Sequence, residues 1–253
     1  MTSSPSPSWR RNEPAWCEHG QGHHDGSVPS YASAPEASRA WLLIEHDGPW
    51  AEQAVSTPLP GGLGKLAVAA DELGIRVQLI RRPARSARDP GGAGVNEANG
   101  ERGTGRVFAA WTADPEPWLA DVTSTVGGIG GIGGVSGDGG ANGTAGNGEF
   151  DLAAMAAGER PPSGNPVERM YLVCTHARRN RCCARFGVPL SRALAARYPE
   201  ELWETTHVGG HKFAANLVLL PHGLYYGPCD PATAVAAIGA HQRGATLPHR
   251  YRG

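Results

Sequence analysis

From Gly127 to Gly148, 12 of 22 residues are glycine, with no strict triplet period. Glycine loses more conformational freedom on folding than any other residue, so this stretch is expected to behave as a flexible linker and not as collagen. It divides the chain of 253 residues into two parts, and a hydrophobic share of 40% is enough to give each part a buried core. The expected organisation is an N-terminal α/β domain over 40–122, a Gly-rich linker over 123–165 and a C-terminal domain over 166–253. Residues 1–30 combine Ser, Pro, Gly and His with little apolar content and read as a disordered tail.

On the N-terminal side, WLLIEH from Trp41 reads as a buried strand, followed by the turn-prone Asp47-Gly48-Pro49. Leu63, Leu66, Ala67, Ala70 and Leu73 recur at helical spacing, and Gly74 supplies the stop. IRVQLIRR (75–82) and RVFAAWTA (106–113) read as two further strands, so this part is expected to run β-α-β-β, with 83–105 as a surface loop. Beyond the glycine segment, MYLVCT (170–175) reads as a strand, and a helix through Leu190, Leu194 and Tyr198 stops near Pro199. The strand-like LWETTHV, AANLVLLP and short LYYG follow, and Pro231 opens a last helix, PATAVAAIGAHQ. The expected order here is β-α-β-β-α.

Charge names no partner. With 23 basic and 24 acidic residues the formal net charge is -1, so no field draws the chain to nucleic acid or to an anionic membrane. The longest apolar run, near Asn216 to Leu220, is far shorter than the roughly 20 residues that span a bilayer, and the N-terminus lacks a signal peptide's apolar core. The expectation is a cytoplasmic protein with neither nucleic-acid nor membrane partners.

Five cysteines in this length do not make a disulfide scaffold, and three of them, Cys174, Cys182 and Cys183, lie within ten residues. Cys174 falls at the end of a predicted strand, Cys182 and Cys183 at the start of a predicted helix, and His207 and His211 flank Val208-Gly209-Gly210 after another strand. Two glycines in HVGGH forbid a stable helix there, so a loop must wrap around whatever the histidines face. Thiolate with imidazole suits zinc, copper or iron-sulfur and disfavours magnesium and calcium. In the tail, Cys17, His19, His23 and His24 read as incidental ligands with nothing nearby to fix their geometry. Cys229 reads as structural. A thiol-based oxidoreductase or redox sensor competes with a metal centre, but the chain has no C-x-x-C motif, and adjacent Cys182 and Cys183 close only a strained ring. Residue types alone leave a structural Cys2His2 zinc module and an iron-sulfur cluster both open.

VCTHARRNRCCA, followed by THVGGHKFAANLVLLPHGLYYG, closely resembles the signature regions of the sucrase/ferredoxin-like family. The likeness runs over roughly residues 40–253 and is strongest from Tyr171 to Gly227. The resemblance implies a C-terminal domain similar to thioredoxin-like [2Fe-2S] ferredoxins, preceded by a second thioredoxin-like α/β domain. It also implies Cys174 and Cys183, with eight residues between them, and His207 and His211, with three between them, as ligands of a [2Fe-2S] cluster. Ala177 and Asn180 stand where relatives usually carry glycine and an acidic residue. The function so implied is one-electron transfer, with proton coupling through the histidines, between a donor and an acceptor that the sequence does not name. No pair of carboxylates is placed convincingly for glycoside hydrolysis, and no sucrase activity is expected. Arg178, Arg179, Arg181 and Lys212 read first as a solvated basic face and second as a surface for an acidic redox partner.

Overall fold

The computed structural model describes residues 39–83, 105–127 and 150–253. The expected tail with Cys17, His19, His23 and His24, most of the 83–105 loop and most of the glycine segment lie outside them. The fold is mixed α/β, and no helix among the described residues is long and apolar enough to cross a membrane.

The first part runs β1 (Ala40–Glu45), α1 (Leu63–Glu72), β2 (Arg76–Arg81), β3 (Val107–Trp111), β4 (Trp118–Asp121) and a short α2 (Thr123–Gly127). After α3 (Leu152–Ala156) and β5 (Asn165–Pro166) come β6 (Met170–Cys174), α4 (Arg181–Ala195), β7 (Leu202–Thr205), β8 (Leu217–Leu220), β9 (Leu224–Tyr226) and α5 (Pro231–Gln242). The expected β-α-β-β order of the first part is present, with β4 as an addition. In the second part the short strand expected at LYYG is β9, which makes the order β-α-β-β-β-α. Within the span expected as linker, residues 123–127 and 150–165 carry α2, α3 and the first residue of β5, and Met155 of α3 is buried in the first part's core.

The nine strands among the described residues form one sheet, ordered β5-β4-β3-β1-β2-β7-β6-β8-β9. Each part has the same local plan: two parallel strands joined by a helix, β1 with β2 and β6 with β7, then an antiparallel pair added beside the first of them. The parts meet where β2 pairs antiparallel with β7, Ile80 opposite Thr205 and Arg81 opposite Glu204. Arg82 strengthens the seam, lying over the Trp203 ring at 3.8 Å and donating to the carbonyls of Pro199, Glu200 and Leu202 at 3.0, 2.8 and 3.1 Å.

Side chains alternate across a strand, and here the alternation sorts three cores. Leu42 and Ile44 of β1 join α1 residues Leu63, Ala67 and Ala70. Tyr171 and Val173 of β6 join Phe186, Leu190 and Leu194 of α4. The opposite faces supply one cluster shared by both parts, including Trp41, Leu43 and Phe108 from the first and Leu172, Cys174, Trp203 and Tyr225 from the second. In a flat sheet β1 and β9, five strand positions apart, would be separated by on the order of 24 Å. The rings of Trp41 and Tyr225 lie 6.3 Å apart, so the sheet curls until its two halves face each other.

Candidate metal centre

Cys174 is the last residue of β6 and, two positions on from Leu172, points to the shared inner cluster. Opposite it begins α4, whose start is fixed by Asn180: the side-chain oxygen accepts from the Cys182 N–H at 2.9 Å and the backbone carbonyl from the Cys183 N–H at 3.1 Å. One helical step separates the adjacent cysteines. Cys182 therefore enters the core between α4 and the sheet, whereas Cys183 faces Cys174. Gly187, one turn further, lets the helix close on the strand, because a Cβ there would lie 2.0 Å from the Cys174 carbonyl oxygen.

His207 follows β7. Its backbone N–H donates to Nδ1 of buried His176 at 3.2 Å, and its own Nδ1 lies 3.4 Å from the Cys183 sulfur and 4.0 Å from that of Cys174. The ligand atoms of Cys174, Cys183 and His207 all fall within 4.8 Å of one another, a group that could hold a metal ion. His211, in the 3-10 turn His211–Phe213, is not in that tight group; its ring is 6.0 Å from that of His207 and tilted 39° to it. Both sulfurs are fully buried, and both imidazoles are half-buried on the solvent side. The other two cysteines among the described residues, Cys182 and Cys229, are buried in the α4 core and take no part in the group.

The two thiols divide one proton unequally. A hydrogen bond from Cys183, helped by His207, holds the Cys174 thiol well below its usual range against the opposing effect of burial. The same hydrogen bond, burial and the Cys174 charge push Cys183 far up. A thiolate hydrogen-bonded by a thiol beside an imidazole is a donor set suited to a soft or borderline metal. Burial lowers the affinity of His176 for a proton, so its ring is neutral, with Nδ1 accepting from His207.

The Val208-Gly209-Gly210 loop takes a path open only to glycine, with φ of +91° and +68° at Gly209 and Gly210. Its carbonyls are engaged in series. His207 O accepts from Gln78 at 3.3 Å, Val208 O from Arg76 at 3.2 Å, Gly209 O from Arg252 at 3.5 Å and Gly210 O from Asn216 at 3.0 Å. Gln78 also accepts from the hydroxyls of Thr205 and Thr206 at 3.3 and 2.5 Å. Sequence reasoning missed these partners. His176 and Asn216 lie inside the quoted motifs, and Gln78 was a polar residue within an apolar strand, but nothing local marked Arg252.

A family model described as sucrase/ferredoxin-like matches residues 32–253. The chain belongs to that family. The match takes in both parts of the sheet as well as the Cys/His group, in keeping with the resemblance drawn from the signature segments. No curated protein and no solved structure matches the chain. Within this sucrase/ferredoxin-like chain, Arg178, Arg179, Arg181 and Lys212 are exposed around the group, and Arg179 pairs with Glu52 at 3.0 Å.

Proposed function

We propose that this sucrase/ferredoxin-like protein carries a [2Fe-2S] cluster and transfers single electrons. The observation that carries the reading is the layering of the donors: two buried, mutually hydrogen-bonded thiols, Cys174 and Cys183, with the imidazoles of His207 and His211 side by side on the solvent side. In this assignment Cys174 and Cys183 would hold one iron and His207 and His211 the other. Such a cluster supplies a one-electron couple, with neutral histidines raising its potential relative to four thiolates. The chain's own part is to exclude water from the sulfurs, to fix the histidine loop and to hold a proton on the outward nitrogen of His207, Nε2. The strand order β7-β6-β8-β9, its counterpart β2-β1-β3-β4 and the helix after each set support a thioredoxin-like reading of both units, proposed at 40–122 and 166–253.

One observation favours a second reading. Around a single zinc with bonds of about 2.3 Å to sulfur and 2.0–2.1 Å to nitrogen, tetrahedral geometry separates S and N by about 3.6 Å. The distances of 3.4 and 4.0 Å bracket that value, so a structural Cys2His2 zinc site is the alternative. Metal analysis with a visible spectrum of anaerobically purified protein separates the two. Two irons per chain and visible absorption that bleaches on one-electron reduction are expected; a colourless protein with one zinc would overturn the proposal.

A further inference from the structure

We propose that Arg252 and Arg76 are positioning residues that clamp the histidine loop from behind by its carbonyls and, through their positive charge, favour the reduced state of the centre. The inference rests on the [2Fe-2S] reading and concerns what lies beyond the ligands. Four consecutive carbonyls, 207–210, each accept from a different side chain, two from the first part of the sheet and two from the second. Held by four donors, the carbonyls are not free to rotate toward the sulfurs, where their negative ends would oppose electron uptake.

Two of the four donors are guanidiniums. Arg252 is almost fully buried, stacks on Phe213 at 4.9 Å, and donates to the Asn216 side-chain oxygen at 2.7 Å as well as to Gly209. It thereby orients Asn216 toward Gly210. Contact is close enough that a Cβ on Gly210 would lie 2.1 Å from a guanidinium nitrogen. Burial lowers its pKa to about 10 against the opposing effects of Tyr225, Cys229 and Cys174, which leaves it charged at neutral pH. Coulomb interaction is mutual, so Arg252 stabilises whatever negative charge the centre gains. Arg76 is half-buried over the Trp41 ring at 5.0 Å and acts from the other side with more screening.

The test is redox titration of full-length parent, Arg252→Gln, Arg252→Lys and Arg76→Gln, each with its iron content measured. A buried unit charge acting through a low-polarity interior shifts an equilibrium by roughly an order of magnitude. Arg252→Gln should lower the equilibrium constant for one-electron reduction about tenfold, equivalent to 59 mV for a one-electron couple. Arg76→Gln should lower it by about threefold, and Arg252→Lys should stay within about threefold of the parent, because it keeps the charge. Iron-loaded Arg252→Gln with the parent's potential would overturn the inference, as would an Arg252→Lys shift equal to that of Arg252→Gln. If Arg252→Gln does not fold, Arg76→Gln decides, and an unchanged potential there is the overturning result. An iron-free, colourless parent overturns the cluster reading and this inference with it, whereas iron-loaded variants without a shift overturn the inference alone.

Discussion

Gln78 of β2 and His207, 129 residues apart in the chain, are joined by a hydrogen bond of 3.3 Å from the Gln78 amide to the His207 carbonyl. The same buried amide accepts from Thr205 and Thr206, so one side chain of the first part fastens the run of backbone that presents the imidazole. Gln78→Leu should take the acceptor from the Thr205 and Thr206 hydroxyls and the donor from the His207 carbonyl, at a cost of about 1–3 kcal/mol in denaturant unfolding. Loss of such outer support should also weaken metal retention by roughly 10- to 100-fold in chelator competition. Unfolding at the parent's midpoint with unchanged retention would remove Gln78 from the site's support.

Cys174→Ser and Cys183→Ser should lose the metal, whereas Cys182→Ser should keep it and lose stability. The reason is helix phase: Cys182 lies among Tyr171, Phe186 and Leu190, where a hydroxyl costs about 1–3 kcal/mol if it finds no partner. Metal content and thermal unfolding of the three variants check this, and equal metal loss in all three would sink the ligand assignment.

The sequence already separated Cys183 from Cys182, but only through the spacing of a resembling family; the physical reason, opposite destinations for adjacent residues on α4, needed the packing. Strands β1, β2, β3, β6, β7, β8 and β9, with helices α1, α4 and α5, were legible because apolar periodicity is a local property. Strands β4 and β5 were not, being four and two residues long. The β2–β7 seam was hidden for a different reason: pairing between segments more than 120 residues apart leaves no periodic trace. Cys174, Cys183 and His207 lie in one tight group and His211 stands beside it; the role of all four as ligands is a proposal.

Gly187→Ala should destabilise the protein by about 1–3 kcal/mol or more, since the new methyl must displace the Cys174 carbonyl or the helix. The displacement acts directly on the Cys174–Cys183 spacing, so metal retention should fall together with stability. A variant as stable as the parent, with full metal content, would show that α4 can shift without cost.

Metal affinity should rise with pH. Cys174 is lowered and Cys183 raised, so the metal-free pair holds one proton that binding must expel. Each proton expelled makes affinity increase by about tenfold per pH unit for as long as the group it leaves is protonated in the free protein. Zinc or cobalt competition titrations between pH 6 and 8 check the slope, and an affinity flat over that range would mean that both thiols are already ionised.

The curl of the sheet gives the first part of the chain a task that its own residues do not advertise. Trp41, Leu43 and Phe108 pack in the same cluster as Cys174 and Cys183. The low-polarity surroundings that set how easily charge is added at the sulfurs are therefore contributed in part by strands that carry no ligand. Two units of the same strand plan have divided their labour: one offers donor atoms, and the other supplies the medium in which those atoms work.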